Sequence, residues 1–368
     1  MTGGDERARP LRIGLDGSCL GAERWTGVER SFWLTLQAFA ARHPEHALVL
    51  FAPRLGPTPP PDLEWVPIPT ARTFLWREAR LPEALAARGI DVLLSPTTAL
   101  PPRAPCPCLA TVHELAFRHA GAEEPGLAAL RQRRAVLRLD DRARLVLVPS
   151  RWTARDLCAA EPALAARVRV VPQPLDPALL AAQTPGPGRG LVFVGAARRR
   201  KNLARLRAAW ASLPADLRAR EPLTLVGAEV APARGERLLP PLPDDALRAE
   251  LAACRAVVLP SLSEGFGLPL FEGLALGRAF LASRGSVHDE LLRGEVRRAG
   301  RFVDPYDVAS IAVGLGDLCE DDACVEAALV HGPGAVATLH PRATAEAWAT
   351  LFAKVTGEVT AEDRGGQG

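Results

Sequence analysis

Short apolar runs alternate with amphipathic stretches along almost the whole chain. In the first half, residues 11–16 (L-R-I-G-L-D), 47–51 (A-L-V-L-F), 63–66, 91–95, 108–112, 144–149 and 168–172 read as strands. In the second half the same reading applies to 191–194, 222–227, 255–259, 279–283 and 301–305. Helical spacing fills the gaps. Val28, Phe32, Leu36 and Phe39 recur every three or four positions behind Thr26 and Glu29, which have capping-box spacing. Further helices are predicted around 76–88, 126–142, from Arg151 behind a Ser150 cap, from Leu203, around 245–253, near 287–293, from Val308, and over 341–355 with Ala347, Trp348, Leu351 and Phe352. Residues 229–243 are rich in proline and read as irregular.

Strands alternating with helices imply parallel sheets covered by helices on both faces. The stretch Q-T-P-G-P-G-R-G (183–190) is a linker by composition, and the strand pattern restarts after it. The expectation is two Rossmann-like α/β domains facing a cleft. Residues 1–182 form the first and 183–340 the second, followed by a helix over 341–356 and a disordered polar tail over 357–368.

Composition narrows the class. Apolar residues make up 48% of 368, enough for two sizeable cores, and a net charge of +3 gives no case for a nucleic-acid partner. No uninterrupted apolar run is long enough to cross a bilayer, and the first ten residues lack the apolar segment of a signal peptide. Seven scattered cysteines, an odd number without paired spacing, point to reduced thiols and a cytoplasmic protein. Cys106 and Cys108 lie close together, but no second pair accompanies them, so no metal site is expected.

The candidate chemistry concentrates in Ser261–Gly277, S-L-S-E-G-F-G-L-P-L-F-E-G-L-A-L-G. It follows a buried strand and reads as a glycine-rich turn leading into a helix, with Pro269 at the start and Gly277 at the stop. Glu264 falls on the turn and Glu272 in the first helical turn. Glycine amides and a helix N-terminus attract an anion, whereas a carboxylate there suits the hydroxyls of a ribose or hexose. The expected ligand therefore has both phosphate and sugar parts. Gly27 opens a helix that offers amides to a phosphate. His113 ends a strand, where open α/β sheets place ligands. Arg198, Arg199, Arg200 and Lys201 precede the Leu203 helix, where cations oppose the helix dipole unless an anion binds among them. The 126–142 helix sets Leu127, Leu130 and Leu137 beside Arg131, Arg133, Arg134, Arg138 and Arg142, either a solvated face or a contact with anionic lipid. No third glycine completes a dinucleotide fingerprint, since Leu270 stands in its place.

Taken in order, these segments resemble the retaining, nucleotide-sugar-dependent glycosyltransferases of GT-B fold, the group that includes many bacterial mannosyltransferases. The segment from Ser263 to Gly277 is similar to that family's E-x7-E motif, and T-G-V-E-R (26–30), V-H-E-L-A-F (112–117), P-S-R-W-T (149–153), 194–203 and V-D-P-Y-D (303–307) support it. The resemblance implies that Glu272 holds the ribose and Glu264 the transferred sugar, and that amides of Phe266, Gly267 and Leu268 face sugar and phosphates. It also implies that Arg200 and Lys201 bind the diphosphate, Gly27 approaches it from the other domain, and His113 contacts the sugar. The last helix would cross back to the N-terminal domain. Implied as well are metal-independent front-face chemistry, a hexose donor such as GDP-mannose as co-substrate with no further cofactor, and a glycan or lipid-linked acceptor in cell-surface polysaccharide synthesis. Apart from the resemblance, the arginines themselves suggest peripheral contact with the inner face of the membrane through Arg131–Arg142. A non-catalytic sugar-nucleotide-binding subunit and a sugar-nucleotide epimerase of the same fold remain alternatives. Three positions depart from the family pattern: Glu114 replaces an aspartate, Ala196 an arginine, and Gln173-Pro174 an Asn-Gly pair.

Overall fold

A computed structural model describes residues 9–21, 25–54, 63–70, 75–122, 126–182 and 186–362. Its strands form two all-parallel sheets. The first contains β1 (Arg12–Asp16), β2 (Ala47–Ala52), β3 (Glu64–Pro67), β4 (Val92–Ser95), β5 (Cys108–Thr111), β6 (Leu145–Val148) and β7 (Val168–Val170), in the order β3-β2-β1-β4-β5-β6-β7. The second contains β8 (Leu191–Val194), β9 (Leu223–Val226), β10 (Glu236–Leu239), β11 (Ala256–Leu259), β12 (Ala279–Ser283) and β13 (Gly300–Val303), in the order β10-β9-β8-β11-β12-β13. Parallel strands covered on both faces are apolar throughout, and β6, β9 and β11 are buried at every position. Successive residues of the first sheet feed opposite cores. Val49, Phe51, Leu93 and Val146 pack on one face, and Leu48, Leu50, Val92, Leu94 and Leu147 on the other.

The final helix, Pro341–Glu362, begins beside the second unit and lies on the first. There Ala345, Trp348, Leu351, Phe352 and Val355 join the core built by Phe32, Leu36 and Phe39 of the Gly27–Arg42 helix. Phe32 and Trp348 have ring centroids 5.8 Å apart, and Phe39 and Phe352 meet edge-on at 5.5 Å. The chain thus passes between the units twice. The two passages are bonded to each other, Leu175 N–H to Leu339 O at 2.8 Å and Thr344 Oγ1 to Pro172 O at 3.2 Å.

Several local expectations change. The proline-rich 229–243 segment contains β10, a short edge strand paired with β9. The helix around 76–88 opens with a π-helical turn at Trp76–Arg80 before the α-helix Leu81–Ala87. The 126–142 segment splits into Leu127–Leu137 and a single turn, Leu139–Arg142, and its three leucines at 127, 130 and 137 are exposed. The last helix continues to Glu362 instead of ending near 355, while 363–368 and linker residues 183–185 lie outside the described residues. All seven cysteines are free thiols. Among the described residues no helix is long and apolar enough to cross a membrane.

Candidate donor-binding site

Strand order reverses between β8 and β11, and side chains from the loops after these two strands meet there, as expected at a topological switch point. After β8 the chain makes a 3-10 turn, Arg199–Lys201, and then Asn202 in the left-handed region (φ 58°) before the helix starts at Leu203. Asn202 holds this unusual backbone by donating to Pro260 O at 2.9 Å and Pro305 O at 2.6 Å. The basic cluster is therefore a turn ahead of the helix rather than its first residues.

The anion lodged in this cluster is a carboxylate of the protein itself. Glu264, 7% exposed, accepts from Lys201 Nζ at 2.6 Å, Arg200 Nη1 at 2.9 Å and Ser261 Oγ at 2.9 Å. Burial alone would raise its pKa, but Lys201 and Arg200 outweigh that and bring it down to about 2. Arg200 also reaches the first unit, with its Nε 2.8 Å from Glu114 Oε1. One guanidinium is thus clasped by carboxylates from both halves. Glu114 thus takes a role that its place in the sequence does not disclose. Its backbone carbonyl is held by Gln132 Nε2 at 3.2 Å.

The turn after Glu264 is pressed against the first unit. Gly265 O accepts from Ser150 Oγ at 2.8 Å and Thr153 Oγ1 at 3.3 Å. A Cβ on Gly265 would stand 1.6 Å from His113 O, so only glycine permits this approach. Gly267 has φ 86°, and a Cβ there would lie 2.1 Å from His288 Nε2. His288 is fully buried, and neither ring nitrogen has a hydrogen-bond partner among the described residues. Burial pushes its pKa down to about 4, so the ring is neutral at pH 7. Phe266 is buried against Phe271, with ring centroids 4.8 Å apart.

The helix that follows spans Leu268–Ala275, which places Pro269 at its second position and Glu272 in its second turn, not the first. Glu272 lines a cavity of about 700 Å³ of open space between the units, together with Gly27, Arg30, Asp176, Asp244 and Leu268. Gly27 sits so close that a Cβ would be 2.9 Å from Leu268 Cδ1. Arg30 spans this cleft to Asp244 at 2.6 Å. Burial raises the Glu272 pKa to about 7; Arg30 pulls it down, and Asp244 and Asp176 push it up.

His113 faces a second, smaller cavity with Ser31, Pro96, Gln173 and Trp348. Its Nε2 lies 2.8 Å from Pro96 O and its Nδ1 3.2 Å from Gln173 Nε2, which together fix the ring. Burial lowers its pKa, so the imidazole is neutral at pH 7. The two cavities share Ser31 and Pro174, while Arg200, Lys201 and Glu264 line neither. Sequence reasoning passed over Arg30, Asp176, Asp244 and His288. Only Arg30 carried a signal, lying one helical turn beyond Gly27 in the T-G-V-E-R segment.

One group among the described residues has metal-ligand character: His43, Glu45 and His46, with donor atoms within 4.8 Å of one another. It lies at the far end of the Gly27–Arg42 helix, roughly 24 Å from the cleft at 1.5 Å per residue. His46 Nδ1 accepts the Leu11 amide at 3.2 Å, which leaves the proton on the other nitrogen and unfits the neutral ring as a ligand.

Residues 25–179 match the model for Glycosyltransferase Family 4, and residues 183–329 that for Glycosyl transferases group 1. An O-antigen chain mannosyltransferase B of Escherichia coli is 32% identical over 154 residues, 38% of this chain and 39% of that protein. A MMP alpha-(1->4)-mannosyltransferase of Mycolicibacterium hassiacum is 38% identical over 79 residues, 22% of this chain and 19% of that protein. The aligned stretches thus span well under half the length of these relatives. Among solved structures, the sucrose-phosphate synthase of Thermosynechococcus elongatus superposes with TM-score 0.72 at 18% identity, over 95% of this chain and all of that one. WaaG, a glycosyltransferase involved in lipopolysaccharide biosynthesis, gives 0.72 at 16% over 91% and 98%. The fold is the GT-B arrangement of two Rossmann-like domains.

Proposed function

Because its two halves, residues 25–179 and 183–329, belong to Glycosyltransferase Family 4 and to the group 1 glycosyl transferases, we propose that this protein transfers a hexose from a nucleotide diphosphate sugar to a glycan or lipid-linked acceptor. The observation that carries the reading is the buried, ionised Glu264 held between Lys201 and Arg200 at the switch point, next to the Gly265–Gly267 turn. Glu272, at the cavity wall, accepts the ribose hydroxyls, and Glu264 those of the sugar. Cleaving the glycosyl–phosphate bond leaves negative charge on the diphosphate. Arg200, Lys201 and the start of the Leu268–Ala275 helix stabilise it without a metal. Retention on this reading proceeds on the front face, with a departing phosphate oxygen taking the acceptor proton. His113 is neutral, with one ring nitrogen bonded to Pro96 O and the other to Gln173, so it bonds a sugar hydroxyl by exchanging the longer Gln173 contact. Mannose from GDP-mannose is the first donor to try, supported by the mannosyltransferases among the relatives, and cell-surface polysaccharide is the corresponding product class.

The test is a thermal-shift screen of nucleoside diphosphates and their sugars, followed by transfer assays with the ligand that stabilises most. Removing one donor of charge stabilisation costs ~10²–10³ in rate, so Lys201→Ala is expected to lose about that factor. Glu272→Ala is expected to lose nucleotide binding as well. Parental rates in both variants would refute this site.

A further inference from the structure

The Leu127–Leu137 helix carries no acidic residue, and its outward face combines features that a water-exposed helix does not need. Leu127, Leu130 and Leu137 are 67%, 43% and 51% exposed, and they are three of the nine large apolar side chains that the described residues leave exposed. At about 100° per residue they fall within an arc of about 80°. The exposed Arg131 and Arg138 lie along one flank of this arc and the exposed Arg133 along the other, while the exposed Arg134 falls within it, between Leu127 and Leu130. The buried Val136 marks the opposite side, so the whole leucine and arginine face points away from the domain core. None of these four arginines has an ion-pair partner among the described residues. Asp140, by contrast, is engaged by Arg167, and Arg142 turns inward to donate to Leu100 O at 2.9 Å.

Charge repulsion and apolar exposure both disfavour such a face in water, and both are relieved at an anionic lipid–water boundary. Leucines enter the acyl edge there, while arginine stems lie along the surface with their guanidinium groups among lipid phosphates. We propose that Leu127–Leu137 is an in-plane docking helix for an anionic bilayer. The surface stays registered to the cleft, because Gln132 on the inner side holds the carbonyl of Glu114, whose carboxylate clasps Arg200. Docking is independent of the transfer reaction, so the two proposals fail separately.

Vesicle flotation of the whole protein tests it, with phosphatidylcholine vesicles with and without phosphatidylglycerol. The protein is expected to float with the anionic vesicles at low salt, to be released by high salt, and to ignore the neutral ones. Arg131→Gln with Arg134→Gln is expected to lower partitioning about 25-fold, at about fivefold per arginine. Leu130→Ser with Leu137→Ser is expected to lower it by about tenfold or more. These side chains are exposed, so both variants are expected to melt with the parent. Three outcomes would overturn docking: no flotation with anionic vesicles at low salt, equal flotation of both variants, or self-association that the leucine variant abolishes without any lipid binding.

Discussion

Glu272 is the residue where burial and function pull against each other. Its pKa of about 7 lies above the ordinary carboxyl value of 4.5, so the folded protein holds a proton that the unfolded chain releases between those two pH values. This carboxyl therefore makes stability fall as pH rises from about 4.5 to 7, by an amount of order 3 kcal/mol in total. Glutamine mimics the protonated form at every pH. Melting of Glu272→Gln is thus expected to match the parent at pH 5 and to lie above it at pH 8. Ribose hydroxyls favour the charged carboxylate, so nucleotide affinity of the parent is expected to rise between pH 6 and 8, while that of Glu272→Gln stays low and flat. Gly265 poses a steric counterpart. In Gly265→Ala the new methyl meets the backbone of His113, and the two halves must separate. A displacement of about 1 Å at a reacting centre can cost 10²-fold, which is the loss of transfer expected, with melting little changed because neither core is touched. The sequence marked both glutamates through the glycines and proline around them. It could not show that Lys201 and Arg200 close on Glu264 from 63 and 64 positions away, because a cation reveals its charge and not its partner.

At the level of elements, legibility follows burial. Strands covered on both faces, such as Leu145–Val148 and Ala256–Leu259, are unbroken apolar runs that hardly admit another reading. The edge strand β10, E-R-L-L, is short, half-exposed and closed by Pro240, so propensity argues against it and only pairing with β9 forms it. Periodicity placed a helix over Leu127–Leu137 but could not say which face turns inward, since spacing fixes relative angles and not the neighbour. The last helix tests the strength of packing across the two units. Trp348 is 6% exposed and wedged between Phe32, Phe39 and Phe352. Trp348→Ala is expected to destabilise by about 3–5 kcal/mol, read by denaturant unfolding. The first domain is expected to melt early, since the lost contacts belong to its core.

Across the whole molecule the halves meet through many polar contacts of modest individual worth. Arg30 with Asp244, Arg155 with Glu290 at 3.0 Å, Glu290 with the Arg151 amide at 2.8 Å, and Tyr306 Oη with Ala120 O at 3.1 Å join the clasp of Arg200. Exposed pairs contribute about 0–1 kcal/mol each, a scale suited to an interface that opens and closes around a ligand. The covalent link is firmer, because two chain passages run side by side between the domains. The doubled passage also sets the order of biosynthesis. Strand β7 ends at Val170, yet the first domain's core lacks Trp348, Phe352 and Val355 until about 185 more residues have been made. At ordinary ribosomal speeds that wait is about 10–40 s. Through that interval Phe32 and Phe39 await their cover on a nascent chain, and the domain synthesised first is the one finished last.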